Sequence, residues 1–184
     1  MKKLILVLGG EKSGKSHYAL MEGESATGPK AFVATAVAID EEMKQRIERH
    51  KKERSSTWQT FEEPLRIAEL IESVAENFEI ILVDCLTIWI SNLFYHGKEV
   101  DLEVEKLLDV ISKKRTNIII VSNEVGLGIV PETEVGRNFR TVLGTLNQKV
   151  AKIADKVVFM IAGISLVIKN KIEEAEYEIR NSQN

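Results

Sequence analysis

Eight consecutive residues have the types and spacing for phosphate chemistry: Gly9-Gly10-Glu11-Lys12-Ser13-Gly14-Lys15-Ser16. They fit G-x-x-x-x-G-K-[ST] and directly follow the apolar run Leu4-Ile5-Leu6-Val7-Leu8, in the strand–loop–helix setting that pattern requires. Small residues let successive backbone N–H groups turn inward on a phosphate, and a helix starting near Lys15 presents its positive end there. Lys15 would reach the β- and γ-phosphates, and Ser16 would offer its hydroxyl to Mg2+. The plain alternative is a glycine turn with two surface lysines. A second carboxylate candidate closes the run Glu79-Ile80-Ile81-Leu82-Val83-Asp84. Asp84 at a strand's end would hold Mg2+, often through water, or would simply cap the next helix.

Histidine supplies a third candidate. Over 41–54, Asp40 can cap a helix, and Met43, Ile47 and His50 fall on one stripe. Arg46 stands one turn before His50 and Arg54 one turn after, with Lys51 and Lys52 adjacent. Neighbouring cations keep an imidazole neutral, hence nucleophilic, and offer partners to phosphate oxygens. His50 is therefore a candidate for attack on phosphorus, or else an ordinary structural histidine. His17 and His96 read as structural or solvent-facing. Trp58-Gln59-Thr60-Phe61-Glu62-Glu63-Pro64 reads as an extended segment in which Glu62 could accept guanine's paired donors, or stand in solvent. In 122–132 a buried strand opens into a loop with two glycines and a proline, where Asn123 or Glu124 could orient an acceptor hydroxyl. An ordinary mobile loop is the alternative there.

These residues need a sheet to hold them. Near-continuous apolar runs at 4–8, 31–36, 80–84, 117–122 and 157–161, with 165–169 as an edge, read as strands covered on both faces. Helical spacing occupies 15–24, 41–54, 65–77, 86–95, 102–114 and 134–154. In the last, Val135, Phe139, Val142, Leu143, Leu146 and Val150 form the buried stripe, leaving Arg137, Arg140 and Gln148 exposed. The alternation predicts a mostly parallel α/β sheet with ligands at the carboxyl ends of its strands.

The 184 residues suit one domain, 1–169, followed by a charged tail, 170–184, read as helical and given no chemistry. A net charge of −3 argues against a nucleic-acid surface. The single cysteine, Cys85, excludes an internal disulfide and fits a reducing cytoplasm. No run approaches the ~20 apolar residues of a membrane span.

The pieces in their order resemble a known family. The phosphate loop, Ala34-Thr35-Ala36, Asp40-Glu41-Glu42-Met43 leading to Arg46-Ile47 and His50, and Trp58-Gln59-Thr60 with Glu62 resemble its first half. Val83-Asp84-Cys85-Leu86-Thr87 with Trp89 and Ser91-Asn92-Leu93 continues the likeness, then Ser122-Asn123-Glu124-Val125-Gly126 and Gly128-Ile129-Val130-Pro131-Glu132. Gly136-Arg137, Phe139-Arg140, Leu146-Asn147-Gln148 and Ala154-Asp155 complete it. The family is the bifunctional adenosylcobinamide kinase/adenosylcobinamide-phosphate guanylyltransferase of cobalamin biosynthesis.

That resemblance implies a RecA-like P-loop NTPase domain with helices on both faces of the sheet, assembled as a homotrimer. It implies phosphorylation of the aminopropanol hydroxyl of adenosylcobinamide by a nucleoside triphosphate, with ATP or GTP both open. It then implies transfer of GMP from GTP, through a covalent histidine matching His50, to give adenosylcobinamide-GDP. Lys15 and His50 would be catalytic. Nucleotide contacts would fall on the phosphate loop, Ala34, Thr35, Ala36, Lys51, Lys52, Glu53, Arg54, Glu62 and Asp84, with Ser16 and Asp84 serving Mg2+. A P-loop kinase or NTPase without guanylyl transfer is the competing expectation.

Overall fold

A computed structural model describes residues 2–38, 41, 44, 45, 48, 51 and 54–171. Its strands are β1 (Leu4–Gly9), β2 (Lys30–Ala34), β3 (Trp58–Glu62), β4 (Ile80–Asp84), β5 (Asn117–Asn123), β6 (Lys156–Ile161) and β7 (Ile164–Asn170). They form one sheet in the order β3-β2-β4-β5-β1-β6-β7, parallel throughout except for the β6–β7 hairpin. Between them lie α1 (Lys15–Glu24), α2 (Ile67–Val74), α3 (Leu86–Tyr95), α4 (Val100–Ser112) and α5 (Glu134–Ile153).

The sequence dictates this layering. Successive strand residues face opposite sides, so Leu4, Leu6 and Leu8 join Ala31, Val33, Ile81, Val83, Ile118 and Ile120 under α2–α5. Ile5 and Val7 join Phe32, Leu82, Ile119 and Val121 on the other face, which α1 covers through Ala19. The central strands are buried on both faces, which is why they read as unbroken apolar runs rather than alternating ones.

The expected α/β sheet and helices on both faces are present, with differences at the margins. The segment 58–62, read only as extended, is an edge strand paired in parallel with β2. The helix expected over 65–77 is confined to Ile67–Val74. Of the helix expected over 41–54, residues 41, 44, 45, 48 and 51 are helical. Asp40, Met43, Arg46, Ile47, His50, Lys52 and Glu53 lie outside the described residues, as does the tail from 172 onward. Val135, expected in the core, is 68% exposed. It sits in the first turn of α5, ahead of the stretch whose Leu143, Leu146 and Val150 meet the sheet.

Candidate active site

Six parallel strands bring their carboxyl ends to one edge of the sheet, and most of the sequence-marked residues stand along it. On β1 the chain turns at Gly9, where a Cβ would collide with the carbonyl oxygen of Met160 and lie 2.7 Å from Ser13 Oγ. Gly14, at φ +94°, forms the N-cap of α1 in the left-handed region that glycine enters without steric cost. Tyr18 N–H bonds Gly14 O, and the first turn of a helix directs its N–H groups toward its amino end, where an anion is favoured. Lys15 is 7% exposed and folds back, Nζ donating to Gly10 O at 2.5 Å. Gly163 N–H, in the β6–β7 turn, bonds Ser13 O at 3.0 Å and braces the loop from beside it. Ser13 Oγ is buried and makes no hydrogen bond within the described residues, a polar atom that suits a phosphate oxygen. Glu11 and Lys12 are exposed, and Ser16 is half-buried in the first turn of α1.

Asp84 ends β4, two strands from β1, with β5 between them. At about 4.8 Å per strand, roughly 10 Å separates the two strand axes, a gap that phosphate oxygens and a hydrated cation can fill. Asn123, opposite Gly9 in the register, occupies the strand end in that gap. The positions of these ends are fixed by a buried polar network. Thr35 is fully buried: its Oγ1 accepts from Cys85 N–H at 2.9 Å and donates toward the carbonyls of Cys85 and Asp84. Thr35 N–H also bonds Asp84 O. Asn92 Nδ2 on α3 donates to Thr35 O and Pro64 O, and Thr87 Oγ1 accepts from Asn123 N–H. Asn147 Nδ2 on α5 donates to Asn123 O, and Glu124 N–H bonds Gly9 O. Helix α3 thus ties the ends of β2, β4 and β5 together. The Thr35 hydroxyl faces inward, holding the Asp84–Cys85 turn, between half-buried Ala34 and Ala36.

Beyond β2, a cleft of about 470 Å³ runs along β3 from its amino to its carboxyl end, lined by Lys51, Arg54, Ser55, Ser56, Trp58, Thr60 and Glu62. Lys51 Nζ bonds Glu62 Oε1 at 2.6 Å. The Arg54 guanidinium stacks 3.9 Å over the Phe32 ring. Burial pushes its pKa down, against the opposing pull of the Asp84 and Glu62 carboxylates. The cleft floor is held by Glu24 at the end of α1, which accepts from Trp58 Nε1, Ser55 Oγ and Lys30 Nζ.

Asp84 and Glu62 therefore share the neighbourhood of Arg54, and β5 separates Asp84 from the glycine loop on β1. Glu124 is turned to its own loop, Oε1 accepting from Gly126 N–H at 2.5 Å, whereas the Asn123 amide side chain has no partner among the described residues. His17 and His96 are exposed, as expected. Spacing alone assigns no role to Thr87, Asn92 or Asn147, whose side chains hold the strand ends. Asn147 did carry a signal: a polar residue between Leu146 and Val150 on a buried helix face must find a partner.

The fold resembles that of a solved KaiC-like protein, PH0186 from Pyrococcus horikoshii, with a TM-score of 0.57 and 15% identity over 92% of this chain and 80% of that one. This is the RecA-like P-loop arrangement, and the likeness extends to the fold alone. Sequence relatives are closer. A protein of Pseudomonas aeruginosa called bifunctional adenosylcobalamin biosynthesis protein CobP is 39% identical, covering 90% of this chain and 97% of that protein. A protein of Escherichia coli called bifunctional adenosylcobalamin biosynthesis protein CobU is 34% identical, covering 90% and 99%. Residues 5–168 match the family described as cobinamide kinase / cobinamide phosphate guanyltransferase, a span holding both the phosphate loop and the cleft beside β3. By that match and by these relatives, the chain belongs to the cobinamide kinase / cobinamide phosphate guanyltransferase family.

Proposed function

We propose that this protein carries out both reactions of its family at one sheet edge, as a cytoplasmic enzyme of cobalamin biosynthesis. The observation that supports this reading is that one sheet carries two phosphate-suited regions, the glycine loop on β1 and, four strands away, the Lys51–Arg54–Glu62 cleft at β3, with Asp84 on the strand midway between them.

In the kinase step a nucleoside triphosphate lies with its phosphates on the loop N–H groups. Lys15 leaves Gly10 O to meet the β- and γ-phosphates, drawing off charge as the γ-phosphoryl group moves. The terminal hydroxyl of adenosylcobinamide attacks the γ-phosphorus, losing its proton as the bond to the nucleoside diphosphate breaks. Asn123, on the strand end between Gly9 and Asp84, would orient that hydroxyl through its side-chain amide. Ser16 and Asp84 are hard oxygen donors and suit Mg2+, though two protein ligands would hold it only together with nucleotide and water. When bound, Mg2+ neutralises phosphate charge.

In the second step the His50 imidazole attacks the α-phosphorus of GTP, forming a P–N bond and releasing pyrophosphate. A phosphate oxygen of the corrinoid then displaces the imidazole, giving adenosylcobinamide-GDP. Arg54, with Lys51, Lys52 and Glu53 beside it in sequence, would hold the phosphates, and Glu62 would accept the two donors of guanine. A homotrimer would seat a second copy on edge strand β7. Its register places Ile164 opposite Ile161 and Leu166 opposite Phe159, leaving Ile161, Ile164 and Leu166 as an exposed apolar strip.

The test separates the two chemistries. With cobinamide and GTP the wild-type protein forms the phosphate and then the GDP product. His50→Ala should stop at the phosphate, and Lys15→Ala should lose the kinase step. A His50→Ala variant that still makes the GDP product would refute the histidine route.

A further inference from the structure

We propose that the loop 125–131 is the docking surface for the corrin ring of the cobinamide acceptor, an inference that rests on the kinase reading above. The loop leaves β5 at Asn123 and Glu124, where Glu124 N–H bonds Gly9 O, so it springs from the base of the phosphate loop. Val125 packs against the core, whereas the apolar side chains that follow face solvent: Ile129 is 96% exposed and Leu127 82%, with Val130 and, just beyond, Val135 also exposed. Four large aliphatic residues within nine positions make a patch that a soluble protein ordinarily covers.

The backbone beneath them is fastened. Arg140 Nη2 donates to Gly126 O at 2.5 Å, and Arg137 Nη1 donates to Glu132 O at 2.6 Å and Pro131 O at 3.2 Å. Thr133 Oγ1 caps α5 by accepting from Gly136 N–H. A platform with fixed ends and outward aliphatic side chains suits a preformed binding surface.

Location decides between occupants. The other exposed apolar strip lies on β7, the outermost strand, where unpaired ladder groups favour a second copy. The 125–131 loop instead borders the central strand end between Gly9 and Asp84. The acceptor's hydroxyl sits on a short arm of a large ring fringed with methyl groups and amides, so the ring must rest within an arm's length of the γ-phosphate. Aliphatic side chains match the methyl-bearing face. The backbone N–H groups of Ile129 and Val130, with no acceptor among the described residues, match the amide carbonyls.

The test uses the full chain, with dicyanocobinamide as probe, its corrin absorbance read in equilibrium dialysis. In the double variant Leu127→Ser/Ile129→Ser, the Kd for the probe and the KM for cobinamide should rise at least tenfold. GTP affinity should stay within twofold of wild type, and the mass by light scattering should be unchanged. Ile129→Met, which keeps the apolar surface, should retain wild-type affinity. Unchanged probe binding in the double variant overturns the proposal, and so does a changed mass, which would make the loop a contact between copies. Equal losses in Ile129→Met overturn it as well. A wild-type protein that neither binds nor phosphorylates cobinamide overturns both this proposal and the kinase reading, whereas normal wild-type turnover with an indifferent double variant overturns this one alone.

Discussion

Thr35 shows how much of the site depends on groups that touch no ligand. Its hydroxyl serves Cys85 N–H and two carbonyls from a fully buried position. Thr35→Val keeps the volume but strands those groups, so unfolding by denaturant should show a loss of about 1–3 kcal/mol. Kinase activity should fall with it as Asp84 shifts. Cys85 is also buried, and that burial, reinforced by Asp84, pushes its thiol up to about 11. It stays protonated below that value, so the native protein should resist iodoacetamide through pH 9 and react fully only when unfolded. Lys15→Ala removes a charge-assisted contact worth roughly 1.5–3 kcal/mol, so nucleotide affinity in titration calorimetry should fall about tenfold to a hundredfold. The phosphate loop and Asp84 were legible because motif and strand end are local in sequence. The Thr35 hydroxyl's role was not, because its partners lie 49 and 50 residues away.

Helix α1 meets the sheet through a close fit at Gly23. A Cβ there would approach Trp58 Cη2 to 2.6 Å and Cζ2 to 2.8 Å, with the indole itself buried and bonded to Glu24. Gly23→Ala, which ordinarily favours a helix, should therefore destabilise by about 1–3 kcal/mol in chemical denaturation. At the opposite end of the sheet Asp155 accepts from Leu4 N–H and from Lys114 Nζ. Burial opposes its ionisation, yet the Lys114 and Leu4 bonds prevail and hold its pKa below the usual carboxylate range. Its folded value is below its unfolded one, so this stabilisation is present above about pH 4 and is lost as pH falls through the depressed value. Asp155→Asn should flatten the acid limb of a stability-against-pH curve. The central strands were readable from unbroken β-branched runs. β3 was not, because an edge strand with Gln59, Thr60 and Glu62 carries little apolar pattern. Val135 misled because periodicity marks a stripe without saying where the sheet beneath it stops.

The whole molecule brings the glycine loop, the strand end of β5 and Asp84 to one edge of its sheet, with the cleft along β3 at the flank. The sequence pattern located the parts, while the strand order, which no local pattern specifies, placed Asn123 between the glycine loop and Asp84. The apolar strip on β7 lies next to the β6–β7 turn whose Gly163 braces the phosphate loop, so association there would stiffen the nucleotide site. A copy-to-copy contact at that strip should be broken by Ile164→Asp/Leu166→Asp, read as a fall in mass by light scattering. The central claim is that guanylyl transfer passes through His50. Mass spectrometry of the intact protein after GTP, followed by peptide mapping, measures it directly. A GMP adduct on the peptide holding Arg49-His50-Lys51, absent in His50→Ala, is the expected result. An active enzyme that forms adenosylcobinamide-GDP while that peptide never carries GMP would contradict it.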